Sequence, residues 1–158
     1  MTYPMTHAIV DSPLGPLTLV EREGAVAGLY MTEHRHMPAI PGDRDDTVLP
    51  ELREQLTAYF ARDLKEFDVR VAVAGSPFQQ RVWAALTEIP YGETWSYAQL
   101  AERIGNPRAV RAVGLANGKN PVSIVVPCHR VVGSNGSLTG YGGGLPRKQL
   151  LLDLERGA

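Results

Sequence analysis

The 158-residue sequence predicts a mixed α/β fold of the α+β kind, a small strand-rich unit over 1–75 followed by a mostly helical unit over 76–158. Three observations carry this. Short apolar runs separated by turn residues fill the start, helix-opening signals recur after Gly75, and the charge changes sign between the two parts. Residues 1–75 hold 7 Lys/Arg against 12 Asp/Glu, and residues 76–158 hold 9 against 5. The overall charge of -1 therefore hides a dipolar chain.

The first unit reads as antiparallel strands over His7 to Val10, Leu17 to Arg22 and Val26 to Met31, parted by the turn-rich 11–16 segment and by Glu23-Gly24. The polar 33–47 stretch reads as a surface loop. Leu49, Leu52, Leu56, Tyr59 and Phe60 recur at helical spacing, and Glu66 to Val73 alternates apolar and polar positions as a strand does. After the boundary at Ala74-Gly75, Ser76-Pro77-Phe78-Gln79 opens a helix with an N-cap Ser, Pro at the first helical position and Gln at the capping-box position. Ser96-Tyr97-Ala98-Gln99 repeats the capping box, and Gly105 is placed to end that short helix. Asn106-Pro107 caps and starts a third helix to about Ala116, so that 96–116 has the size of a helix-turn-helix. A closing helix spans Leu145 to Arg156.

Composition excludes several classes. Hydrophobic residues at 44%, charged residues at 21%, 16 Gly and 12 Pro do not suit a disordered, collagenous or coiled-coil chain. No apolar run approaches the roughly 20 residues of a membrane helix. Met1-Thr2-Tyr3-Pro4 begins no secretory signal, so the expected place is the cytoplasm, with no membrane partner. With Cys128 alone, neither an intramolecular disulfide nor a multi-cysteine zinc site can form. His7 and the His34-x-His36 pair lack thiolate or acidic partners and read as solvated, so no metal site is expected. Neither a phosphate-binding loop nor a dinucleotide fingerprint is present, and no cofactor is implied.

Two features point to chemistry. Arg103 to Lys148 contains seven basic residues and no acid, which suits a polyanion through counterion release and equally describes a solvated basic face. Within it, the helix carrying Arg108 and Arg111 among Ala109, Ala112 and Gly114 reads either as a DNA-recognition helix or as a tightly packed Ala-rich helix. Composition alone favours the second reading, since such helix pairs are common in proteins that never meet DNA. Cys128 follows an apolar run in an expected buried strand or turn, with His129 and Arg130 beside it. A thiol acts as a nucleophile only as thiolate, which neighbouring positive charge or a histidine base promotes. The other reading is a small inert hydrophobe.

Pro127-Cys128-His129-Arg130-Val131-Val132, with Arg111-Ala112-Val113-Gly114 and Asn120-Pro121 before it and Gly140-Tyr141-Gly142-Gly143-Gly144 after it, resembles the O6-alkylguanine-DNA alkyltransferases. The likeness covers 76–158 almost without a gap, and 1–75 is similar to the family's ribonuclease-H-like N-terminal domain. A winged-helix-like second domain with a helix-turn-helix is thereby implied. So is direct-reversal repair, in which Cys128 attacks the alkyl carbon on O6 of guanine, or O4 of thymine, in duplex DNA. The alkyl group stays as a thioether and the protein is spent in one turnover. The implied relay is Cys128, a water, His129 and Glu155; in an extended segment adjacent residues point to opposite sides, which leaves room for that water. Without the resemblance, Glu155 would read as a solvated acid.

The resemblance further implies that the target nucleotide is extruded and that Arg111 fills the space it leaves. The small residues Ala109, Ala112 and Gly114 would let the helix enter the minor groove, with Arg108 and Arg130 also meeting DNA. Tyr97 would donate to guanine N3, the carbonyls of Cys128 and Val131 would read the exocyclic amine, and the Gly142 N–H would meet O6. Asn120 would brace the turn carrying the nucleophile, while Pro127 and Tyr141 line the pocket with Asn117, which stands where the family carries a larger Met. The expected partner is duplex DNA containing O6-alkylguanine, met by a monomer, with cooperative assembly along DNA left open. Three rivals remain: a non-catalytic lesion sensor, which would lack the cysteine, a Cys-His thiol hydrolase, which needs an oxyanion hole, and a transcription regulator that uses only the helix-turn-helix.

Overall fold

The computed structural model describes residues 5–32, 39 and 42–157. His34 and His36, and with them most of the expected 33–47 loop, lie outside the described residues. Strands β1 (Thr6–Val10), β2 (Leu17–Arg22) and β3 (Ala25–Met31) form an antiparallel sheet in the order β1-β2-β3. Arg22 pairs with Ala25, so Glu23-Gly24 is a two-residue hairpin loop, and both residues have positive φ (52° and 78°). That is the primed turn whose twist matches the strands, and Gly24 takes it without strain.

Helix α1 (Pro50–Phe60) buries Leu52, Leu56 and Tyr59, the face its spacing predicts. Leu49 is its N-cap, outside the helix and left-handed at φ 53°. The strand expected over Glu66 to Val73 is not formed. Its inside-outside alternation holds, yet among the described residues its backbone makes only one bridge, Val26 with Val71, parallel to β3. Side chains take ladder positions instead: Gln55 clasps the N–H and carbonyl of Asp68 at 2.8 and 2.9 Å, and Gln80 donates to Val73 O at 2.8 Å.

The second unit contains α2 (Pro77–Leu86), β4 (Trp95–Ser96), α3 (Tyr97–Arg103), α4 (Val110–Gly118), β5 (Val131–Val132) and α5 (Leu145–Arg156). Both expected capping boxes are present, Ser76 with Gln79 and Ser96 with Gln99. The third helix starts later than expected. Asn106-Pro107-Arg108-Ala109 closes as a turn through Ala109 N–H to Asn106 O at 3.0 Å, and α4 begins at Val110 with no side-chain cap. Trp83 ties α2 to α4 by donating to Ala116 O at 2.8 Å.

Leu17, Leu29, Leu52 and Tyr59 share one buried cluster with Val82, Leu100, Val113, Cys128 and Leu151, so the core crosses the boundary near Gly75. The edge of β3 also crosses it. Leu29 N–H donates to Pro121 O at 2.9 Å and Leu29 O accepts from Ser123 N–H at 3.4 Å, which pins the segment leading to Cys128 onto the sheet. This cover also blunts an otherwise open strand edge.

Candidate active site

Asn120 holds the approach to the cysteine. Its side chain donates to Val126 O at 2.8 Å and accepts from Val122 N–H at 3.0 Å, folding 122–126 into a compact turn. Within that turn Ile124 is buried at φ 73°, a conformation a β-branched residue adopts only when its surroundings impose it. Cys128, His129 and Arg130 then form one turn of 3₁₀ helix, and β5 returns alongside β4 through Trp95–Val131 and Ser96–Val132 pairs. Of the buried strand or turn expected here, the structure has the turn, so the extended geometry invoked for the relay does not apply. Cys128 and His129 are separated by about a third of a turn rather than facing opposite ways.

Glu155, on α5, gathers the site. Its Oε2 accepts from His129 Nε2 at 2.7 Å, from the Tyr59 hydroxyl at 2.6 Å and from Arg130 Nη2 at 2.9 Å. Its Oε1 accepts from Arg130 Nε at 2.8 Å and from the Gly92 N–H at 3.3 Å. Burial alone would raise this carboxyl, but the hydrogen bonds and charges of His129 and Arg130 hold it well below the usual carboxylate range. An ionised carboxylate only accepts, so Nε2 of neutral His129 carries the proton and Nδ1 has the free lone pair. Nδ1 is buried and bonded by no atom of the described residues. Burial, the dominant influence, keeps the His129 pKa below 6.5 even beside Glu155. A neutral imidazole of this tautomer is a base.

These contacts correct one expectation. Arg130 is not a DNA contact: it is 7% exposed, both ends of its guanidinium are spent on Glu155, and Nη1 donates to Ile89 O at 2.7 Å. Lys148 likewise leaves the basic surface. It is fully buried on α5, with Nζ donating to Val131 O and Thr139 O, each at 2.6 Å. Burial lowers its pKa to about 8, while the Cys128 charge pulls it up. Cys128 itself is 4% exposed. Burial pushes its thiol up, and a hydrogen bond with Asn120, the Lys148 charge and a hydrogen bond with Ser123 oppose this.

The other expected residues divide into two groups. Arg108, Arg111, Ala112 and Lys119 are exposed around α4, and among the described residues no hydrogen bond or ion pair holds the three basic side chains. Ala109 and Gly114 are half-buried. Beside α4 opens a cavity of about 430 Å³ lined by Tyr97, Arg111, Gly114, Leu115, Tyr141 and Gly142, among others. Thr139 donates to the Tyr97 hydroxyl at 3.1 Å. Tyr141 links this cavity to the nucleophile, being close enough to Cys128 to feel its charge. Pro127 lines a second cavity, of about 670 Å³, with Phe67, Tyr91 and Arg130 among others. Val131 is wholly buried, and Asn117 sits inside with its amide 3.5 Å from Cys128 O.

Tyr59, Lys148 and Ser123 belong to the site and were not foreseen. For Lys148 a signal existed, since Lys148, Leu151, Leu152 and Glu155 fall at i, i+3, i+4 and i+7 and form the buried face of α5. Among the described residues no group of three His, Cys, Asp or Glu could hold a metal. No helix of the described residues is long and apolar enough to cross a membrane.

A buried Cys-His-Glu set beside an exposed basic helix and a side cavity defines a class, that of proteins whose thiol chemistry is coupled to a helix-turn-helix surface. Comparison with known proteins narrows it. The ribonuclease-like domain of 6-O-methylguanine DNA methyltransferase matches residues 5–73, and the DNA binding domain of the same family matches 77–157. The chain belongs to this family. It is 56% identical over 151 residues to the methylated-DNA–protein-cysteine methyltransferase of Mycolicibacterium paratuberculosis, covering 95% of this chain and 92% of that protein. Its counterpart in Mycobacterium bovis is 53% identical over the same shares. The crystal structure of Mycobacterium tuberculosis OGT in complex with DNA matches with a TM-score of 0.94 at 51% identity, over 96% of this chain and 93% of that one.

Proposed function

We propose that the chain repairs DNA by direct reversal, moving an alkyl group from O6 of guanine in an extruded nucleotide onto Cys128. The observation that carries this is the buried His129, tied through Nε2 to Glu155 and offering Nδ1 as a base one residue from the only cysteine. The thiol proton passes to Nδ1, directly or through one water, and Glu155 stabilises the imidazolium that forms. The thiolate then attacks the alkyl carbon. A carbon–sulfur bond forms, the carbon–O6 bond breaks, and its electron pair returns to the guanine. Tyr97, which lines the 430 Å³ cavity, donates a proton to the ring as charge develops. Nothing in the site cleaves a thioether, so each molecule reacts once.

DNA meets the protein through α4. Arg111 is exposed at the cavity mouth, where it can occupy the gap left by the extruded base, and Arg108 and Lys119 flank it for phosphate contacts. The similar OGT of Mycobacterium tuberculosis, solved with DNA, supports this reading. The test is Cys128→Ser. This variant binds a duplex containing O6-methylguanine within about threefold of wild type, and accepts no methyl group; methyl transfer to the variant would refute the assignment.

A further inference from the structure

Among the described residues, the N-terminal unit hydrogen-bonds to the relay through the side chain of Tyr59. Tyr59 is fully buried on α1, and its hydroxyl lies 2.6 Å from Glu155 Oε2, the oxygen that also accepts from His129. The contact joins residues 96 positions apart in the chain. Its ring is held by Phe60 and Phe67, each with centroids 5.3 Å away, and by Tyr91 edge-on at 6.2 Å, so the hydroxyl has one direction to point. A buried tyrosine needs an acceptor, and a backbone carbonyl would satisfy it equally well. Here the acceptor is the Glu155 carboxylate that holds the base, His129.

We propose that Tyr59 is a positioning residue for alkyl transfer: its hydroxyl fixes the Glu155 carboxylate and draws off part of its charge, so that His129 stays neutral and ready to take the thiol proton. The proposal rests on the repair reading given above. A carboxylate that spends its charge on Tyr59, Arg130 and Gly92 orients the imidazole without pulling a proton onto it. The other charged or titratable groups around the pair are Arg130 and Cys128 on the 3₁₀ turn, Lys148 on α5 and Tyr91 after α2, itself beneath Lys65 and Arg130. Arg130 and Lys148 disfavour the imidazolium and Glu155 favours it. Burial and the neighbouring carboxylate keep the Tyr59 phenol protonated, so it donates at every pH the fold survives.

Single-turnover methyl transfer from a saturating O6-methylguanine duplex, followed against pH, tests this. In Tyr59→Phe the carboxylate regains charge, the imidazolium is favoured, and the acid limb of the rate moves up by about one pH unit. Well below the limb the rate falls about tenfold, with little change at pH 8. Leu56→Ala, one turn earlier on the same buried face of α1, lowers the thermal midpoint and leaves the limb in place. A more acidic phenol, 3-fluorotyrosine placed at position 59, keeps the fold and moves the limb the other way. If Tyr59→Phe keeps the wild-type limb, or Leu56→Ala shifts it equally, or the fluorinated residue leaves it unmoved, Tyr59 is a structural residue only. A wild-type protein that transfers no methyl group at all would overturn the repair reading and this proposal with it.

Discussion

His129 is a histidine whose two neighbours pull in opposite directions. Glu155 favours its charged form, and burial, the larger effect, favours the neutral one. Taking a proton from Cys128 requires the neutral form, so the acid limb of alkyl transfer is expected below pH 6.5, with a rate nearly flat through neutrality. A limb centred above pH 7 in single-turnover measurements would contradict this. Stability follows the same sign. Because the folded His129 pKa lies below its unfolded value, the unfolded chain binds more protons in the interval between them, and stability present above pH 6.5 is lost as pH falls through the folded value. Glu155, also depressed, adds a second loss at more acidic pH. The role of Glu155 was legible only through the family resemblance. Its five hydrogen bonds come from three separate segments, at Tyr59, at Gly92 and at His129-Arg130, and nothing local to Glu155 announces them.

The elements written in local chemistry were the most legible. The capping boxes at Ser76 and Ser96 need only a hydroxyl and an amide three residues apart, and both form. Asn106-Pro107 carried an equally plain signal and gave a turn, because Ala109, at φ -90° and ψ 30°, leaves the helical path before α4 begins. The basic tract misled in another way. Arg130 and Lys148 counted toward a polyanion surface, yet each found buried oxygen partners, a competition that composition does not record. The surface that remains is α4, and its test is Arg111→Ala. Reaction with free O6-benzylguanine, which needs no DNA to be opened, stays within about twofold of wild type, whereas reaction with a lesion duplex drops at least tenfold. Equal losses on both substrates, measured by single-turnover kinetics, would show that Arg111 serves the pocket rather than the DNA.

Across the whole molecule, the change of charge near Gly75 was readable, and the union of the two parts was not. One core runs through both, the free edge of β3 bridges Val71 of the first part and Val122 of the second, and Tyr59 reaches across to Glu155. Such contacts are long-range and leave no trace in a local pattern. Their joint effect is to hold Cys128 on a tight turn, nearly closed to solvent, with Asn120, Ser123 and Lys148 facing the thiol and His129 beside it. The central claim is that this thiol is the final acceptor of the alkyl group. Peptide mass spectrometry after mixing the protein with an equimolar duplex containing O6-methylguanine measures this directly. One methyl group is expected on the Cys128 peptide, with guanine restored in the DNA and no reaction with a second equivalent of duplex. Restored guanine with an unmodified Cys128 peptide, or continued turnover on added duplex, would contradict it.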